Sequence, residues 1–206
     1  FSNFQQQKDR HGHACLSKGM VKMPTDPEEI LTYNSAIETL TSIDSQEERI
    51  AWAASLPLSV LELVSDYPRD EGWTVAHYLA GNDLFPEENI TEDILRISNG
   101  KGRLVAHVLA MQKKLPARFF TLPILSLKDL DGDVVAHSLV WKYEKEELDT
   151  FLTGDILRIA NDDGWSAAHI LVRRNALPER FLTEDVLLIA AHSGWTVAHE
   201  LAVKGT

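Results

Sequence analysis

The chain has 206 residues, 44% hydrophobic and 25% charged, an ordinary balance for a folded soluble protein with a sizeable core. Its net charge of −11, about −6 before Gly72 and about −5 from there on, argues against phosphate-backbone binding, which needs clustered lysine and arginine. No run of about 18 uninterrupted apolar residues marks a membrane span. One cysteine, Cys15, excludes an internal disulfide framework and favours a reducing compartment, so a cytoplasmic location is expected.

Residues 1–24 are polar and lack sustained periodicity, which predicts a loosely ordered arm. His11, His13 and Cys15 cluster there, but no third group orients a base and no paired metal motif accompanies them. They read as incidental. Residues 25–71 are expected to form helices: one opened by Pro27 with Asp26 as its cap, then QEERIAWAAS, then LSVLELVSD. This region reads as a cap or a degenerate repeat.

From Gly72 to the end the motif G-x-x-x-A-H-x-L-[AV] recurs five times, at 72–80, 102–110, 132–140, 164–172 and 194–202. Its glycines are 30, 30, 32 and 30 residues apart. A fixed period of this size predicts stacked units that bury their apolar faces on one another. Each unit should carry a tight Gly turn, a short helix with the Ala-His pair, and a loop that often holds proline. A second helix should then start at Thr91, Thr121, Thr153 or Thr183, since threonine is a good N-cap. The expected fold is an all-α helical-repeat solenoid over 72–206. Its last unit stops after the first helix, which predicts either a closing helix or a piece of a longer protein.

The pattern D-x-x-G-x-T-x-x-H-x-[LA]-A resembles the opening of an ankyrin repeat. Asp129 to Gly132 and Asn161 to Gly164 match the loop, Thr74, Ser166 and Thr196 the hydroxyl, and the five histidines the family's histidine. The departures are Val-Ala or Ala-Ala before the histidine, no Gly-His between the helices, and a short return to the next glycine. The resemblance implies stacked helix pairs with reduced or absent hairpins, serving as a protein-binding scaffold without chemistry of its own.

His77, His107, His137, His169 and His199 are therefore expected to bond backbone groups rather than a metal, because parallel side chains about 8–10 Å apart do not converge on one ion. No cofactor or metal is expected. Trp73, Arg103, Asp133, Trp165 and Trp195 follow the repeat glycines, and a position accepting Trp, Arg and Asp is not uniformly buried. They either face a partner or lid the turn against the neighbouring repeat. Trp141, Lys142, Arg173 and Arg174, just past the first helices, join them as partner-binding candidates. The favoured reading is a monomeric, non-catalytic scaffold for a protein partner. The rivals are part of a larger enzyme or delivered bacterial effector with chemistry outside the repeats, and a structural spacer.

Overall fold

The computed structural model describes residues 32–66 and 72–205. Over these residues the chain is an all-α solenoid of stacked helix pairs. It opens with α1 (Tyr33–Ser42), α2 (Gln46–Ala54) and α3 (Leu58–Leu61). Thr32 caps α1, its hydroxyl accepting from Ser35 N at 3.1 Å. The predicted cap at Asp26 and Pro27, the arm 1–24 and the Cys15 cluster lie outside the described residues.

The repeat pairs follow as α4 (Val75–Gly81) with α5 (Glu92–Arg96), and α6 (Val105–Met111) with α7 (Leu122–Leu125). The third unit has α8 (Val135–Lys142), a connecting turn α9 (Lys145–Leu148), and α10 (Gly154–Arg158). Then come α11 (Ala167–Arg173), α12 (Glu184–Leu187) and α13 (Val197–Lys204). Short 3-10 turns begin after Pro86, Pro116 and Pro178. The third unit lacks that proline and uses α9 instead, opened at Glu144, whose N–H donates to the Glu147 carboxylate at 2.8 Å. This connection holds the two extra residues behind the single spacing of 32.

The second helices are short, four or five residues each, and one bond explains why. Val105 N donates to the Ile97 carbonyl at 3.0 Å, and Val135 to Leu127, Ala167 to Ile159 and Val197 to Ile189 repeat it at 2.9–3.0 Å. That bond pulls the chain into extended backbone and ends the helix. Val75 N makes the same bond to Leu63, which likewise cuts α3 to one turn. A second bond, such as Asn161 N to the Trp165 carbonyl at 2.9 Å, closes each loop into an isolated antiparallel bridge. No longer hairpin forms among the described residues.

The loop glycines have φ between 69° and 80°, a left-handed conformation that side chains resist. Space matters as well. A Cβ on Gly164 would lie 2.6 Å from His192 N of the next loop, and His192 N itself donates to the Asp163 carbonyl at 3.0 Å. The same loop-to-loop backbone bond joins Gly100 N to the Gly72 carbonyl and Leu130 N to the Lys101 carbonyl, at 3.2 and 3.3 Å.

The core runs through the stack as α4 packs on α6, α6 on α8, α8 on α11 and α11 on α13. Ala76, Ala106, Ala136 and Ala168 are fully buried at these crossings, where a methyl group lets two helices approach closely. Ile94, Leu95, Ile124, Leu125, Ile156, Leu157 and Val186 of the second helices fill the other side. Arg118 and Arg180 tie neighbouring units from outside, donating to the Glu87 and Asp149 carbonyls at 2.5 and 2.8 Å. Among the described residues no helix is long and apolar enough to cross a membrane.

Candidate functional site

Each repeat histidine sits at the third position of its first helix, so its ring reaches back to the helix start. His77 Nδ1 is 2.7 Å from Thr74 Oγ1, and His169 Nδ1 is 2.8 Å from Ser166 Oγ. Backbone N–H groups of Leu104 and Ser166 donate to the Nδ1 atoms of His107 and His169 at 3.3 and 3.2 Å. Nδ1 is thus the acceptor, which leaves Nε2–H to donate. It does so across the repeat boundary, to the carbonyls of Arg103 (2.8 Å), Asp133 (3.2 Å) and Trp195 (3.2 Å) from His77, His107 and His169. Burial holds these imidazoles neutral, lowering all three pKa values and bringing His77 to about 4. Neutral rings with both nitrogens engaged act as stitches between units. Among the described residues no three His, Cys, Asp or Glu side chains are grouped to hold a metal ion.

The third unit breaks this pattern. Asp133 replaces the Trp or Arg after glycine, and Val134, like Leu104 of the second unit, stands in place of the hydroxyl residue. His137 Nδ1 lies 3.7 Å from Asp133 Oδ1, too far for a hydrogen bond. Its Nε2 approaches the Trp165 main chain without good hydrogen-bond geometry and is the one buried side-chain polar atom without a partner among the described residues. Burial lowers the His137 pKa, while the Asp133 charge works in the opposite direction.

The post-glycine tryptophans lie over the histidine of their own unit. Ring centroids are 5.7 Å apart for Trp73 and His77, 4.9 Å for Trp165 and His169, and 5.2 Å for Trp195 and His199. Arg103 extends to the buried Asp129 at 4.0 Å, and the Asp133 side chain is 54% exposed. Arg173 lies over the Trp165 ring at 5.2 Å and pairs with Glu200 at 3.4 Å. Glu200 also accepts from Trp195 Nε1 at 3.1 Å. Arg174 is committed to the preceding unit: it donates to the Val140 and Tyr143 carbonyls and so closes the negative end of α8.

Two shallow clefts meet at Trp141. One, of about 270 Å³, is lined by Asp133, His137, Trp141, Asn161, Trp165, Ile170 and Arg173. The other, of about 440 Å³, is lined by Met111, Lys113, Trp141, Lys142, Glu144 and Arg174. Folding therefore brings Asp133, Trp141, Lys142, Trp165, Arg173 and Arg174 to one region, while Trp73, Arg103 and Trp195 line neither cleft. Ile170 and Glu200 were missed by sequence reasoning. The available signal was the variable position of A-H-x-L, which carries Tyr78, Val108, Ser138, Ile170 and Glu200.

No protein-family model and no curated protein matches the sequence. Solved structures do resemble the fold. The ankyrin repeat protein EF0377 superposes with a TM-score of 0.53 at 15% identity, covering 85% of this chain and 94% of that one. The ankyrin repeat domain of Bcl-3, a member of the IkappaB protein family, gives 0.51 at 14% identity, covering 84% of this chain and 81% of that one.

Proposed function

With an ankyrin-repeat-like helical fold as the premise, we propose that the chain is a protein-binding scaffold whose docking face centres on Trp141. One observation carries the reading: two clefts of different chemistry share this indole, which is 46% exposed although it lies in the last turn of a largely buried helix. Exposed tryptophan beside arginine is the usual make-up of an interface anchor. The non-catalytic part of the reading draws on His77, His107 and His169, whose nitrogens are engaged and whose charge is suppressed. Such rings hold no free base. The net charge of −11 favours protein over nucleic acid as partner, and the scaffold is taken to act as a monomer.

The test is affinity capture with the tagged chain, comparing the unaltered protein with Trp141→Ala and Arg173→Ala. A protein held in one-to-one ratio by the first and lost from both variants supports the scaffold. Equal capture by all three, with unchanged melting temperatures, rejects this face.

A further inference from the structure

We propose that the cleft between the third and fourth units receives an arginine or lysine side chain from a basic segment of the partner protein. The inference rests on the docking reading above and gives it a chemical sense. Asp133 offers an exposed carboxylate whose single ionic neighbour among the described residues is His137. Burial keeps that imidazole neutral, so the carboxylate lacks a compensating charge. Arg173, the one cation lining the cleft, is answered by Glu200 at 3.4 Å. It also rests on the Trp165 ring at 5.2 Å, showing that an indole of this cleft accepts a guanidinium. Trp141 presents a second indole that has no ring or cation partner among the described residues. Ile170 supplies an apolar wall for an alkyl stem.

The surroundings agree in sign. Asp131 and Asp163 are exposed on the adjoining loops without an ion pair among the described residues, and Asp162 meets only Lys128 at 2.5 Å. The chain as a whole carries −11, so a basic segment is steered toward it. The repeat pattern also fails at this cleft. Asp133 stands where the other units place Trp or Arg, and His137, 8% exposed and lining the cleft, has an unpartnered Nε2. The third unit forgoes a stitch that its neighbours keep, and gains a free carboxylate beside two indoles.

The experiment follows the indole N–H signals of the nitrogen-15-labelled chain during titration with the peptide Ac-Arg-Leu-Arg-Leu-Arg-NH2, and with its glutamate counterpart Ac-Glu-Leu-Glu-Leu-Glu-NH2. The arginine peptide is expected to shift the Trp141 and Trp165 signals saturably and to weaken as salt is raised. The glutamate peptide should leave them in place. Asp133→Asn, nearly isosteric and on an exposed side chain, should cost about tenfold in affinity without lowering the melting temperature. Movement of the same two signals by the glutamate peptide would overturn the charge preference while leaving the docking face standing. Unchanged affinity in Asp133→Asn, or no response to the arginine peptide, also overturns the inference. The capture test on Trp141→Ala and Arg173→Ala judges the scaffold separately.

Discussion

The first and fifth motifs, GWTVAHYLA at 72–80 and GWTVAHELA at 194–202, differ at one residue, Tyr78 against Glu200, yet sit in different surroundings. In the first, Val75, Ala76, His77, Leu79 and Ala80 are all buried; in the fifth, Val197 and Glu200 are, while Ala198 and His199 are exposed. His77 reaches a carbonyl of the next unit, whereas His199 keeps contacts within its own unit, to Thr196 at 2.6 Å and to the Trp195 ring. A nearly identical string is core in one place and surface in another. Burial in this architecture is therefore conferred by the neighbouring unit.

Paired substitutions can break or sharpen that comparison. The largest effect is expected at the loop glycines. Gly164→Ala meets both a φ of 80° and the His192 main chain, and should cost about 2–5 kcal/mol. Gly194→Ala shares the φ of 80° but meets nothing within 4 Å, so the difference in urea midpoints isolates the inter-unit contact. Equal losses would sink the neighbour argument.

The histidines come next. His77→Ala should lose about 2–4 kcal/mol, since it leaves a void and strands the Arg103 carbonyl and Thr74 hydroxyl. His199→Ala should lose a small fraction of that in the same denaturation assay. Acid makes the same point without mutation. The folded chain keeps His77 neutral down to about 4, whereas an unfolded imidazole takes its proton near 6.5. Between these values the unfolded chain binds more protons at this site, so the His77 contribution to stability falls as pH drops from 6.5 to about 4 and levels off below. His77 alone contributes about 3 kcal/mol to that loss, with His107 and His169 acting in the same direction. A urea midpoint that stays flat across this window, or an equally steep one in His77→Ala, contradicts the neutral stitch. The smallest effect belongs to the alanines. Ala136→Leu should overpack the α6–α8–α11 crossings by about 1–3 kcal/mol, while Ala198→Leu on the exposed face of α13 leaves the melting curve close to unaltered.

Much of this was written locally. The recurrence of Ala-His-x-Leu after glycine marked the unit length, and Thr74, Thr91 and Thr153 mark helix starts because each hydroxyl accepts a backbone N–H three residues on. Adjacent apolar pairs such as Ile94-Leu95 and Ile156-Leu157 mark the buried side of the second helices. Such signals depend on neighbours within one or two turns, which is why one strand of residues suffices to read them.

Other features waited for the stack. The second helices stop where Val105, Val135, Ala167 and Val197 donate to carbonyls eight residues back, and no helix propensity announces that. Nor does sequence say that His77 and His107 would find acceptors 26 residues ahead, or that His137 would miss its own. The meeting of Asp133, Trp141, Trp165 and Arg173 in one cleft joins residues from two units. Chain order alone set the period, the caps and the greasy faces, because these are short-range preferences of single residues. The placement of one unit against the next decided which of them became core, which hydrogen bonds closed and where a cleft opened, because those energies exist only between parts of the chain that folding brings together.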